Sequence, residues 1–271
     1  MKDLIIVRGG GDVASGTVYK LFEQGYSVLI LEIEKPSAIR RHVAFCEAVY
    51  EGEQTVENIT CFKAKNIDET IEFLKSGKLT LLVDPDGESI QKLNPMAVVD
   101  GILAKRNLGT HRDMAKIVIG LGPGFEAGKD VDAVIETMRG ETLGQIIYQG
   151  STLPNTGIPG VIGGYAKERV MYSPAAGVLR NVHQIADTVK KGEVIAYIEN
   201  GQENVPVYAT IDGLLRGLIR DGYVVPEGMK IADIDPRVEE YQNCFTISDK
   251  ARCIGDSVLE AIECLRGEVH D

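Results

Sequence analysis

The apolar run Leu4-Ile5-Ile6-Val7 leads directly into Arg8-Gly9-Gly10-Gly11-Asp12-Val13-Ala14, and a second run, Val28-Leu29-Ile30-Leu31, ends on Glu32. Between them, Val13 to Gln24 has helical spacing and stops at Gly25. Strand, glycine turn, helix and strand make a βαβ unit, and this feature constrains the rest of the chain most. Gly9, Gly11 and Ala14 fit the G-x-G-x-x-A spacing of dinucleotide-binding turns. A Cβ at Gly9 would block the tight turn, and one at Gly11 would hold the backbone away from a phosphate. The helix start that follows offers unpaired N–H groups and a partial positive charge to an anion. Glu32, 21 residues past Gly11, stands where such units place the carboxylate that takes a ribose hydroxyl. The competing reading, an ordinary strand-to-helix turn with no ligand, needs the same glycines.

Apolar strands and helical stretches alternate through residue 140. Asp68 to Lys75 reads as a helix ended by Gly77, Leu79 to Val83 as a strand, Val98 to Leu103 as another and Ile117 to Ile119 as a fifth. Asp130 is expected to cap a helix running through Val131, Val134, Ile135 and Met138 to Gly140. Strands apolar throughout and separated by helices predict a parallel sheet covered on both faces, a Rossmann-like domain over residues 1–165. Ligands in such sheets sit at the carboxyl ends of the strands. The candidate cofactor-binding residues are therefore Gly9, Gly10, Gly11 and Asp12, Glu32, Asp84, Asp100, Lys105, Asn107, and Gly122, Gly124 and Phe125.

Gly122 to Gly128 is not a phosphate-binding P-loop, because Lys129 precedes Asp130 where Ser or Thr is needed for magnesium, and this sets kinase and NTPase chemistry aside. The loop either forms a second wall of the site or simply shapes a turn. Arg40, Arg41, Lys105 and Arg106 gather positive charge in a chain of net charge −11; they either clamp phosphate or lie as solvated surface charge. That net charge argues against general nucleic-acid binding. Apolar runs such as Leu79–Val83 are too short to cross a bilayer and no leader is visible, so no membrane and a cytoplasmic location are expected. Five cysteines without C-x-x-C or matching histidine spacing predict no disulfide framework and no metal site. Cys46 is held apart, since Arg40, Arg41 and His42 nearby could lower its thiol pKa.

Past residue 165 the pattern changes. Ser173–Ala196 and Ala209–Ala232 superpose at a spacing of 36 residues, matching Gly177 with Gly213, Arg180 with Arg216, Val189 with Val225 and Gly192 with Gly228. One supersecondary unit used twice is expected over residues 166–237. It resembles the biotinyl/lipoyl barrel-sandwich. The turn Glu199–Asn204 between the halves holds no lysine, so no biotin or lipoate can be attached there. The tail, 238–271, carries Ile254, Val258, Ile262 and Leu265 on one stripe of a helix, expected to pack on this protein.

Long strings carry a further resemblance: VRGGGDVASGTVYKLF, AIRRHVAFCEAVYEG, VVDGILAKRNLGT, IGLGPGFEAGKDVDAVIETMRG, PNTGIPGVIGGYAKERV and GLLRGLIRDGYVVPEGMKIADIDPR. They are similar to YqeB-type accessory proteins of selenium-dependent molybdenum hydroxylases, themselves related to XdhC-type chaperones. In one string Ser is expected where this chain has Cys46, which leaves the role of that position open. The resemblance implies a maturation factor that binds a molybdopterin-type cofactor or a dinucleotide and hands it to a molybdenum hydroxylase client. The alternative is an NAD(P)-dependent oxidoreductase acting on a small substrate. A proton donor for it is not evident: of the histidines only His42 stands beside the candidate residues, while His111, His183 and His270 fall elsewhere, and the reading favours the chaperone. Catalytic residues, and a second copy of the chain as partner, are left open.

Overall fold

A computed structural model describes residues 3–157, 159–201 and 203–268; His270 and Gln202 of the 199–204 turn lie outside them. The chain divides into two compact units. One takes the chain up to Pro36, Ala44–Thr156 and the chain from Ile247 onward; the other takes Ser37–Val43 and Gly157–Thr246.

The first unit begins with β1 (Leu4–Arg8), α1 (Asp12–Glu23) and β2 (Ser27–Glu32), followed by the short α2 (Ala48–Glu51). The hairpin of β3 (Glu53–Val56) and β4 (Ile59–Ala64) comes next, then α3 (Ile67–Lys75), β5 (Leu79–Val83), α4 (Glu88–Leu93) and β6 (Ala97–Asp100). It closes with β7 (Ile117–Leu121), β8 (Ala133–Ile135), β9 (Ile146–Ile147) and α5 (Asp249–Glu268). Local chemistry sets several of these ends. After α1, Gly25 at φ +87° lets Tyr26 N–H reach Leu21 O and its own N–H reach Phe22 O, the paired bonds of a Schellman stop. Asn66 caps α3 by accepting Glu69 N–H at 3.0 Å, and Gly77 ends it in the same way as Gly25.

The nine strands form one sheet in the order β3-β4-β5-β2-β1-β6-β7-β8-β9. β4 to β8 pair in parallel, while β3 and β9 add antiparallel edges. Every residue of β1 is buried, as expected for a strand covered on both faces. Leu4, Ile6, Leu29, Leu31, Val98 and Val118 share a core with Phe125, Val131 and Val134. α5 packs along α1, burying Ala251, Ile254, Val258 and Ile262. The two helices cross at their glycines: a Cβ on Gly16 would lie 2.3 Å from Ala251 O, and one on Gly255 2.7 Å from Gly16 O.

The helix expected from Asp130 to Gly140 is absent. Ala133–Ile135 is instead strand β8, with Ala133 opposite Ile119 and Ile135 opposite Leu121. Asp132 explains the choice: its N–H donates to Val118 O at 2.7 Å and its carboxylate accepts Val118 N–H at 2.8 Å, fixing the chain beside β7. A short, wholly buried apolar run fits helix or strand by periodicity alone, and the partner decides.

The second unit holds β10 (Val170–Tyr172), β11 (Gly177–Asn181), β12 (Thr188–Val189), β13 (Val194–Glu199), β14 (Asn204–Tyr208), β15 (Gly213–Leu218), β16 (Val224–Val225) and β17 (Lys230–Asp235). They make two four-stranded antiparallel sheets, β10-β17-β15-β12 and β14-β13-β11-β16. The 36-residue repeat is visible in the backbone, since β11, β12 and β13 recur as β15, β16 and β17 at that offset. Each half sends its two-residue strand into the other half's sheet. Gly177 and Gly213 occupy equivalent places, where a Cβ would sit 2.4 Å from Glu199 O and from Asp235 O respectively. Leu179, Ile195 and Ile198 of one sheet and Leu215, Ile231 and Ile234 of the other share one apolar core.

The expected fold, a parallel Rossmann-like sheet followed by a biotinyl/lipoyl-like barrel-sandwich and a helical tail, is thus corrected to a mixed nine-stranded sheet and a pair of four-stranded antiparallel sheets. Two crossovers, β6 to β7 and β7 to β8, carry no α-helix. The tail divides as well: Val238–Cys244 forms 3-10 helical turns in the second unit, and α5 belongs to the first. Among the described residues no helix is long and apolar enough to cross a membrane.

Candidate functional site

The chain leaves β1 and β6 at the same end of the first unit's sheet, and their loops meet there. Gly9 turns at φ +90°, and a Cβ on it would press on the Gly101 backbone at 3.1 Å. Gly10 is packed too, its Cβ direction 3.0 Å from Cys46 N. Gly11 differs: an added Cβ there would meet nothing within 4 Å, and no side chain caps the α1 terminus that it starts. So one of the three glycines faces open space, while the other two are required by the protein's own packing.

Glu32 lies across this turn. Its Oε1 accepts Gly10 N–H at 2.7 Å and its Oε2 accepts Ile33 N–H at 2.8 Å. Burial pushes the carboxyl pKa up, against the pull of those two N–H donors. Gly10 O in turn accepts Cys46 N–H at 2.9 Å and Ser15 Oγ–H at 3.1 Å. The thiol of Cys46 is buried beside Glu32, Glu47 and Asp12, and burial first, then those carboxylates, push its pKa well up. The lowering expected from neighbouring cations is reversed, and the shift favours the less nucleophilic thiol form.

Asp100 ends β6 as part of a buried network. Its Oδ2 accepts the Thr110 hydroxyl, lies 3.6 Å from Arg8 Nη1, and its Oδ1 accepts Ile102 N–H at 3.1 Å. Asn107 closes the loop by accepting Thr110 N–H at 2.8 Å and donating to Thr110 O at 2.7 Å. Both residues therefore shape the 101–110 loop, which carries Lys105 and Arg106 exposed on its outside. Asp84 opens α4, accepting the N–H groups of Gly87, Glu88 and Ser89 and the Ser89 hydroxyl. Burial works to raise its pKa, but these bonds outweigh it and hold the carboxyl low.

In the loop after β7, Gly122 takes φ +74° against Thr137, and Gly124 takes φ +120° with the Arg106 backbone 2.7 Å from its Cβ direction. Phe125 turns inward under Gly120 and is 5% exposed, a core residue instead of a wall of the site. Arg40 and Arg41 belong to the second unit. There Arg40 donates to Asn243 O and Thr246 O at 2.7 and 3.1 Å, and Arg41 Nε donates to Leu218 O at 2.8 Å. Both guanidinium groups thus hold backbone carbonyls of that unit, which corrects their expected place beside the glycine turn.

Lys250, in the first turn of α5, was missed by the sequence reading. It is partly buried, and burial first, then the nearby charge of Arg139, pushes its pKa down, opposed by Asp12 and Glu136. Glu136 is itself occupied, accepting Met138 N–H at 2.7 Å and Leu153 N–H at 2.8 Å. The Lys250 ammonium makes no hydrogen bond or ion pair with another described residue. The signal was available: Lys250 stands four residues before Ile254, on the stripe that continues through Val258 and Ile262. Among the described residues no group of three His, Cys, Asp or Glu is arranged to hold a metal ion.

No family model matches the chain. It is 48% identical over 262 residues to the uncharacterized protein YqeB of Escherichia coli K12, an alignment that covers 97% of this chain and 48% of that protein. The chain spans about half the length of the curated relative it matches. This supports the YqeB-type resemblance and carries no link to selenium or molybdenum. Similar solved structures include product-bound ectoine utilization protein EutE (DoeB) of Ruegeria pomeroyi, at 13% identity and TM-score 0.24, covering 86% of this chain and 57% of that one. An aspartoacylase family protein of Mesorhizobium loti aligns at 10% identity and TM-score 0.30 over 85% of this chain and 84% of its own. A succinylglutamate desuccinylase/aspartoacylase of Rhodobacter sphaeroides aligns at 11% and 0.29, over 86% and 85%. By description none of the three is a molybdenum hydroxylase accessory protein, a nicotinamide oxidoreductase or a biotinyl protein. The expected roles in molybdenum hydroxylase maturation and in NAD(P)-dependent oxidation are withdrawn: Glu32, expected to take a ribose hydroxyl, is spent on Gly10 and Ile33 N–H, and Arg40 and Arg41 hold carbonyls of the second unit. At such scores no activity carries over from these structures to this chain.

Proposed function

We propose that this chain binds a small anion-bearing molecule at the carboxyl ends of β1, β6 and β7, in front of Gly11. The observation that carries the reading is Lys250. A half-buried ammonium with no hydrogen-bond acceptor lowers stability, since burial removes hydration that the charges of Asp12 and Glu136 offset only in part. Such groups collect at sites where a ligand supplies the missing charge. The open space at Gly11 and the uncapped start of the twelve-residue α1 favour the same ligand sign, since a helix N-terminus carries partial positive charge. Lys105 and Arg106 stand on the neighbouring loop and add to an anion's approach. Phosphates, pyrophosphate-bearing nucleotides and carboxylates are the chemical classes that suit this arrangement.

The test is calorimetric titration with phosphate, pyrophosphate, ADP and succinate at low and moderate salt, on the wild type and Lys250→Met. A hydrogen bond to a charged group contributes about 1.5–3 kcal/mol, so the variant should bind the preferred anion roughly 10- to 100-fold more weakly. The proposal fails if no anion of the panel binds, or if the folded variant binds as tightly as the wild type.

A further inference from the structure

A cavity of about 460 Å³ lies wholly in the second unit, between the end of β11 and the turn after β15. Arg41, His42, Asn181, His183, Arg220 and Asp221 line it. The positive groups outnumber the acid. Asp221 is engaged: its Oδ1 accepts Asn181 N–H at 2.8 Å, and its Oδ2 lies 3.9 Å from Arg180 Nη1. His183 is fixed between Asp187, 3.3 Å from Nδ1, and Glu193, 3.2 Å from Nε2. His42 sits at the rim against the Phe245 ring, 5.1 Å between centroids. Desolvation first, then the charge of Arg41, push its imidazole toward the neutral form.

Asn181 adds a second kind of demand. Its Nδ2 donates to Ile219 O at 2.9 Å, which fixes the orientation of the amide. Its Oδ1 is buried and has no hydrogen-bond donor among the described residues. An unsatisfied buried acceptor costs about 1–3 kcal/mol, so a ligand hydroxyl that reaches it would gain from the vacancy. A cavity of this size falls in the range of small-molecule sites.

We infer that this cavity is a binding site for a small hydroxylated anion, a sugar phosphate or sugar acid. Its acidic group lies against Arg41 and Arg220, and a hydroxyl donates to Asn181 Oδ1. Arginine suits the first task because its planar donor array matches carboxylate and phosphate oxygens. This site is independent of the one at Gly11, since all its residues belong to the other unit.

The experiment titrates the isotope-labelled 271-residue chain with glucose 6-phosphate, gluconate, inorganic phosphate and glucose, reading amide shifts by NMR. Glucose 6-phosphate or gluconate should shift residues 181–185 and 220–221, more tightly than phosphate, with glucose alone inert. Arg220→Met should weaken that binding at least tenfold. Val182→Glu, at a cavity residue 54% exposed, adds a carboxylate without touching the core and should do likewise, which covers the case in which Arg220→Met misfolds. Lys250→Met should leave it unchanged. Shifts that map elsewhere, binding that survives Val182→Glu, or glucose binding as well as its phosphate would overturn the inference.

Discussion

Gly16→Ala places one methyl group at the crossing of α1 and α5. The new Cβ would stand 2.3 Å from Ala251 O, 2.5 Å from its carbonyl carbon and 2.8 Å from its Cβ, where ordinary contact begins at 3.4 Å. Two of these atoms are backbone, so no side chain can swing aside; the helices must separate by about 1 Å, a strain typical of overpacking. Overpacking costs about 1–3 kcal/mol, while alanine gains up to about 1 kcal/mol over glycine in a helix interior. A net loss of about 1–2 kcal/mol lowers the melting temperature by about 2–4 °C per kcal/mol for a unit of this size. The assay is thermal unfolding followed by circular dichroism, with Gly267→Ala as the control. Gly267 lies in the same α5 with open space at its Cβ direction, and its substitution should leave the melt unchanged or raise it. A Gly16→Ala melt equal to or above wild type would refute the close docking of α5 on α1.

Lys250→Met is expected to raise stability at pH 7 even as it weakens anion binding. With the folded-state pKa below the free-lysine value of 10.5, the native state holds fewer protons than the unfolded chain just below that pH, so wild-type stability climbs as pH rises through the window. The variant should flatten that climb, and melts at pH 7 and pH 10 check it. Asp100→Asn leaves Arg8, 4% exposed, without its counter-charge and should cost about 3–5 kcal/mol, measured by urea unfolding. Thiol alkylation of the native protein at pH 8 should modify the exposed Cys264 first and spare Cys46 and Cys61, whose thiol pKa values burial pushes up; early modification of Cys46 contradicts its assigned environment.

The βαβ start, the 36-residue repeat and the tail helix were legible because each is a local pattern. Gly9, Gly25 and Gly77 sit at backbone turns that little else than glycine adopts, so their reading needed no partner. Ala133–Ile135 was misread because its state depends on Val118, fourteen residues upstream of Asp132. The roles of charged residues were the least legible. Asp84 and Asp100 are polar strand endings in the sequence, yet the first is spent on a helix start and the second on Arg8. Lys250 was not singled out in the sequence, and only the packing of α5 against α1 makes it a partly buried cation.

The exchange of β12 and β16 has a bearing on what the second unit can be reduced to. Neither 36-residue half owns all the strands of its sheet, so an isolated half would display an unpaired edge and half of an apolar interior. Two identical copies of one half, on the other hand, could trade their two-residue strands as the halves do within this chain. A peptide covering residues 170–208 is thus expected to survive as a self-associated pair and to unravel when diluted.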